Sequence, residues 1–235
     1  MTSDTPPIVD RATWLEARRE LLDAEKALTR QRDELAARRR RQPWVRVETD
    51  YTFDTPEGPR RLADLFEGRP QLVVYHFMLG PDWQEGCPSC SFWADGYDGL
   101  TAHLAARDTT LVAVSRAPVA AIEAYRERMG WSFTWVSSLD NEFNMDLGVS
   151  FPEGHRDDRT YNFVPIADPP EELPGLSVFF RDDVGGIFHT YSCYARGLDP
   201  FNAAYQILDL TPMGRHEDDL EWSMAWLRRH DQYDS

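Results

Sequence analysis

The residues best suited to chemistry lie in the run Cys87-Pro88-Ser89-Cys90, which holds two of the three cysteines in 235 residues. Thiols at this spacing can close a small disulfide ring within one helical turn. The helix-like run that follows places the pair at the first turn of that helix. The first sulfur there faces the unpaired amides and the positive end of the helix, which favour the thiolate. Cys87 is therefore expected to react first, and Cys90, one turn further in, to be less exposed. Bringing a free thiol from about 8.5 to about 7 takes roughly 2 kcal/mol. A helix dipole supplies only ~0.3–1 kcal/mol, so turn amides and the Cys90 thiol must add the rest, against Asp82 and Glu85. The expected chemistry is a dithiol that cycles with a disulfide. Joined by His189 or Cys193, the pair would instead suit Cu(I) or Zn(II). A domain that merely binds a partner, with its cysteines idle, is a third alternative.

The composition restricts the partners. A formal charge of −15 repels a phosphate backbone and argues against nucleic acid. Residues 1–10 lack an export signal's apolar core, and no run of about 18 apolar residues occurs, so neither export nor a membrane span is expected and a cytoplasmic location is. Three cysteines in a reducing compartment are too few for a structural disulfide framework. No Gly-x-Gly-x-x-Gly follows a strand, and the only lysine, Lys26, is outside any phosphate loop, so no nicotinamide or flavin cofactor is expected. The expected partners are a protein or small-molecule disulfide and an external reductant.

The elements that must position the pair are read from periodicity. Residues 1–43 form an N-terminal extension, with one helix over about 11–41 capped by Asp10 or Thr13. Trp14, Leu21, Leu28 and Leu35 recur every seven residues as a narrow apolar seam, suited either to the protein's own domain or to a second copy in a homodimer. Arg38 to Arg41 suit the negative end of that helix. Residues 44–235 form the main domain. Trp44–Glu48 and Tyr51–Phe53 look like strands, and Leu62–Phe66 like a short helix. Leu72–Leu79 and Thr110–Ser115 are nearly continuous apolar runs that predict strands buried on both faces. Helices are predicted from Cys87 to about Ala106 and from Ala117 to Met129. Leu176–Arg181 and Gly186–Tyr191 predict an antiparallel hairpin, and Pro200–Leu208 and Asp218–Arg229 two closing helices. Right-handed crossovers make the first strands parallel. The expected fold is α/β, a thioredoxin-like central mixed sheet flanked by helices, with an insertion at about 150–174 that is either a solvated excursion or a lid.

The motifs VVYHFMLGPDWQEGCPSCSFWAD, LVAVSRAP, YRERMGW, HTYSCYARG and LDLTPMGR together resemble domain-of-unknown-function family 899, predicted thioredoxin-like dithiol–disulfide oxidoreductases. The resemblance implies that Cys87 attacks and Cys90 resolves. It also makes His76 a candidate acid–base group behind Cys90, although a core histidine with satisfied hydrogen bonds would look the same in sequence. Trp83 is a candidate rim residue for a substrate, with Pro88 beside it. The cis-proline that faces the cysteines in thioredoxin-like folds is matched by Pro174, with Pro165, Pro169 and Pro170 as competitors, and would present the Leu173 backbone to an extended substrate. A peroxiredoxin-like peroxidase would use the same fold, but its chemistry wants a hydroxyl residue three before the attacking cysteine, where Gln84 stands, and an arginine near the sulfur, for which Arg116 and Arg196 are candidates.

Overall fold

The computed structural model describes residues 6–154 and 159–233. The chain divides between Pro43 and Trp44 into two compact units. The first is carried by one helix, α1 (Arg11–Arg39), whose N-cap is Asp10: its carboxylate accepts from the Thr13 amide at 2.8 Å. Arg18 pairs with Glu25 at 2.8 Å along the rod.

In the second unit the helices are α2 (Pro88–Ala94), α3 (Thr101–Ala105), α4 (Val119–Met129), α5 (Phe143–Asp146) and α6 (Ala203–Leu208). The strands are β1 (Val45–Arg46), β2 (Thr52–Phe53), β3 (Arg60–Arg61), β4 (Gln71–His76), β5 (Thr109–Ser115), β6 (Thr134–Ser137), β7 (Thr160–Tyr161), β8 (Val164–Pro165), β9 (Gly175–Arg181) and β10 (Ile187–Tyr194). Six of them form one mixed sheet in the order β1-β10-β9-β4-β5-β6. β4, β5 and β6 run parallel, and β9 lies antiparallel to β4, with His76 opposite Gly175. This is the expected α/β, thioredoxin-like arrangement. The strand before the cysteines is central, and the hairpin β9–β10 returns beside it.

Alternation along β4 divides the core between the two faces of the sheet. Tyr75, and Phe77 just beyond the strand, face α2 and α4, where Cys90, Trp93, Ile122, Tyr125, Trp131 and Trp135 pack. Leu72 and Val74 face the opposite layer, made by Phe53, Leu62, Leu65, Phe66 and Phe143. Burial on both faces is why β4 and β5 read as unbroken apolar runs.

Several predicted boundaries move. β4 ends at His76 rather than Leu79, and the chain from Phe77 onward turns toward α2. The long helix predicted after Cys87 is interrupted over residues 95–100, between α2 and α3, where two carboxylates serve another segment: Asp95 accepts from the Trp131 indole at 2.9 Å, and Asp98 from the Ser132 amide at 2.7 Å. β6 is a third parallel strand that four residues of weak pattern did not announce. No helix forms over 218–229; the chain there follows successive turns. Glu217 explains this, since one carboxylate oxygen accepts from the Met224 amide, the Trp226 indole and the Tyr205 hydroxyl, and Met224 takes a φ of 72°. In the 150–174 segment the ends are zipped by Phe151 N–H to Glu171 O and Leu173 N–H to Val149 O, both 2.8 Å. Between them β7 and β8 pair through a tight turn with positive φ at Asn162 and Phe163; residues 155–158 of that predicted insertion lie outside the described residues.

Candidate active site

Cys87 is the N-cap of α2, with φ −57° and ψ 130°, and Pro88 occupies the first helical turn. The turn is fastened to the end of β4 through Met78, which uses both backbone groups on it. Its carbonyl accepts from the Cys87 amide at 3.1 Å, and its amide donates to the Cys90 sulfur at 3.4 Å. Behind it, the Ser115 hydroxyl donates to Phe77 O at 2.6 Å, which ties the same stretch to the end of β5. The Cys87 carbonyl accepts from the Ser91 amide at 3.0 Å and from the Ser91 hydroxyl at 2.9 Å.

The two sulfurs are free thiols, Cys87 half-buried and Cys90 buried. Their environments push them apart. Cys87 is drawn down from an ordinary 9.0 to about 6, first by the hydrogen bond it accepts from the Cys90 thiol, then by the Cys90 and Ser89 amides, while burial opposes the shift. Cys90 is raised, chiefly by burial and then by its bond to the Cys87 sulfur. One thiol therefore supports the other's thiolate, and the pair holds one thiolate and one protonated thiol at neutral pH.

His76 is not behind Cys90. Strand alternation puts it on the opposite face of the sheet, fully enclosed, with Nε2 at 2.9 Å from the Ser177 hydroxyl and Nδ1 at 3.3 Å from Asn144 Oδ1. Burial draws its pKa down to about 4, so it is a neutral core histidine with both nitrogens engaged, and the proton-acceptor role expected for it does not fit. Tyr75, its neighbour on the strand, faces the cysteines instead and donates to Cys90 O at 3.2 Å. Nor is the Leu173–Pro174 bond cis: among the described residues no peptide bond is. The Leu173 amide is already given to Val149 O, and the Pro174 carbonyl accepts from the Tyr161 hydroxyl at 2.8 Å, so the backbone expected to receive a substrate is largely occupied. Trp83 lies in the loop before Cys87, half-buried against the same core, its indole so close to Gly80 that a Cβ there would come within 2.7 Å of Nε1.

Of the residues named for metal or peroxidase chemistry, Cys193 is buried in the same core cluster as Cys90, and the others are engaged with different partners. Gln84 is turned to Asp82 O at 3.4 Å. Arg116 binds Glu172 at 3.2 Å, and Arg196 binds Asp199 at 3.2 Å. His189 is on the His76 face, bonded to Ser192 at 2.7 Å. Among the described residues no group of three His, Cys, Asp or Glu side chains is arranged to hold a metal ion. No helix among them is long and apolar enough to cross a membrane.

Three residues of the site carried no signal in the sequence reading. Tyr75 was hidden because an unbroken apolar strand does not reveal which parity faces which layer. Ser91 and Tyr125 meet at 2.9 Å through their hydroxyls, across 34 residues of chain.

Residues 3–233 match one family, described as bacterial protein of unknown function (DUF899), and the chain belongs to it. No curated protein matches the chain. Among solved structures, peroxidoxin BcpB from Mycobacterium tuberculosis is similar at 16% identity, with a TM-score of 0.46 over 71% of this chain and 97% of its own. Peroxiredoxin Q from Xanthomonas campestris is similar at 15% identity, with a TM-score of 0.45 over 66% of this chain and 89% of its own.

Proposed function

We infer that this member of the bacterial family is a dithiol–disulfide oxidoreductase in which Cys87 attacks and Cys90 resolves. The observation that carries the reading is the opposite displacement of the two thiols across one hydrogen bond, Cys87 down to about 6 and Cys90 up. In the first step the Cys87 thiolate attacks one sulfur of a substrate disulfide; a Cys87 mixed disulfide forms and the other substrate sulfur leaves as thiolate. In the second, Cys90 attacks the Cys87 sulfur, the intramolecular disulfide closes, and the second substrate thiolate departs. Two electrons pass to the substrate, one proton leaves the pair, from Cys90, and an external dithiol reductant restores it by the reverse exchange.

Cys90 must lose its proton only in the second step. By then Cys87 is bound in the mixed disulfide, so the negative charge that opposes ionisation of Cys90 is gone. The Met78 amide and the Tyr75 hydroxyl both favour the Cys90 thiolate, and the departing substrate thiolate can take the proton. No histidine is required.

The test is a redox titration in graded glutathione and dithiothreitol buffers, read by thiol alkylation and intact mass, on wild type and Cys87→Ser purified without chelators. A two-electron transition lost in the variant supports the reading, and its midpoint sets the direction of electron flow. A pair that never closes, with a metal retained in native mass, would move the metal-carrier alternative to first place.

A further inference from the structure

The C-terminal stretch that the sequence predicts as helix is spent instead on the turn that carries Cys87. Arg229 is its centre. The guanidinium is almost enclosed, with 11% of the side chain exposed, and it meets four groups. Nη2 donates to Gly86 O at 2.7 Å and Nε at 3.2 Å; Nε also donates to the Tyr125 hydroxyl at 2.9 Å; and Nη1 pairs with Glu85 at 2.8 Å and donates to Gln232 Oε1 at 3.3 Å. Gly86 is the residue before Cys87, and the Tyr125 hydroxyl meets that of Ser91, which donates to Cys87 O. One side chain thus grips the turn on both sides of the reactive residue, directly at Gly86 and through Tyr125 and Ser91 at the Cys87 carbonyl.

The neighbours fasten the same stretch. Arg128 joins Glu85 at 2.6 Å to Asp231 at 2.7 Å, and His230 Nδ1 lies 2.7 Å from Asp95 at the end of α2. Glu85, which by sequence opposes a thiolate at Cys87, is answered by two arginines. Gly86 has no room for a side chain: a Cβ there would lie 2.7 Å from both Phe77 and Tyr125 ring carbons. That carbonyl is therefore held by packing on one side and by Arg229 on the other.

We propose that Arg229 is a positioning residue for Cys87, and that the C-terminal segment holds the attacking sulfur's turn in its reactive geometry. The proposal rests on the dithiol reading only for its purpose, since the state of the Cys87 thiol can be measured whether or not the protein cycles a disulfide. The buried guanidinium supplies charge-assisted bonds that a neutral residue cannot replace, and lysine, with no planar fork, cannot serve all four groups at once.

The experiment is a thiolate titration by absorbance at 240 nm, with Cys87→Ser as blank, on wild type, Arg229→Gln, Arg229→Lys and Tyr125→Phe, each with a thermal melt. Arg229→Gln is expected to raise the Cys87 midpoint by about one pH unit, which lowers iodoacetamide reactivity at pH 6 about fivefold; Arg229→Lys should recover part of this. Tyr125→Phe, which removes only a hydroxyl, tests the second arm if Arg229→Gln does not fold, with an expected rise of about half a unit. Arg215→Gln serves as control, because Arg215 is tied to Asp199 and Asp209 instead. The proposal is overturned if folded Arg229 and Tyr125 variants titrate like wild type, or if Arg215→Gln moves the midpoint as far. A failed redox titration with shifted midpoints would sink the oxidoreductase reading and leave this one standing.

Discussion

Removing the side chain of Cys90 tests the central electrostatic argument. The Cys87 thiol falls from an ordinary 9.0 to about 6, and the hydrogen bond from the Cys90 thiol is the first of the causes. A hydrogen bond to a charged group contributes ~1.5–3 kcal/mol, which at ~1.36 kcal/mol per pKa unit is about one to two units. In Cys90→Ala the Cys87 midpoint should therefore rise to between about 7 and about 8, and the thiolate fraction at pH 7 should fall from about nine-tenths to between about a half and a tenth. Absorbance at 240 nm against pH, with Cys87→Ser as blank, reads the midpoint; the pH profile of alkylation by iodoacetamide checks it. A midpoint still below about 6.5 in Cys90→Ala would refute the reasoning, and would mean that the Ser89 and Cys90 amides at the start of α2 hold the charge unaided. Linkage makes the same argument visible in stability. The folded pKa lies below the unfolded one, so Cys87 contributes fully above about 9 and its contribution, at most about 4 kcal/mol, is lost as pH falls through about 6. Cys90 is raised, so its effect has the opposite sign and sets in as pH climbs past its unfolded value. The reduced protein should gain stability between about pH 6 and 9, and Cys87→Ser should lack that rise.

His76→Gln should leave the Cys87 titration and disulfide closure unchanged, because His76 lies on the far face of the sheet; a displaced Cys87 midpoint would contradict that placement. Since burial lowers His76 to about 4, the wild type should lose stability as pH falls from about 6.5 toward 4, by up to about 3 kcal/mol. Urea unfolding at pH 7 and 4.5 should show this loss reduced in the variant. Gly86→Ala forces a Cβ to 2.7 Å from Phe77 and Tyr125 ring carbons, so a cost of ~1–3 kcal/mol is expected in urea unfolding; an unchanged midpoint would show the turn to be looser than its packing implies. Glu172 is raised to about 7 by burial, against the pull of Ser150 and Arg116. Its contribution is thus present below about 4.5 and lost as pH rises through about 7, and Glu172→Gln should abolish that slope in the stability–pH curve.

Local signals carried the first half of the site. The helix-like run after the pair marks the start of α2, and the unbroken apolar runs before Cys87 and at Thr110–Ser115 mark two strands of the sheet's centre, because burial on both faces leaves such a run. The same burial erased the parity of β4. With Tyr75, His76 and Phe77 all inside, nothing in the order of residues says that odd positions face α2, so the place behind Cys90 that the resemblance implies for His76 finds no check in the strand's pattern. The helix predicted after Cys87 overruns α2 for a related reason. Its apolar residues do continue, but Gly96 and Gly99 weaken it and the carboxylates of Asp95 and Asp98 are committed to residues 131–132, and a commitment across more than thirty residues leaves no local pattern.

The C-terminal stretch shows how far that limit reaches. Residues 218–229 have the composition of an amphipathic helix, yet the Glu217 carboxylate gathers Met224, Trp226 and Tyr205, and the chain is bent so that Arg229 arrives at Gly86. Local propensity favours a helix by tenths of a kcal/mol per residue, whereas an enclosed guanidinium left without acceptors would cost several. The tertiary term is the larger, so the end of the chain folds around the Cys87 turn rather than upon itself. The surroundings of the Cys87 thiol are consequently built from two distant parts of the sequence: a motif that supplies the sulfurs, and a segment 143 residues after Gly86 that bonds to their turn and pairs with the acidic residue beside them.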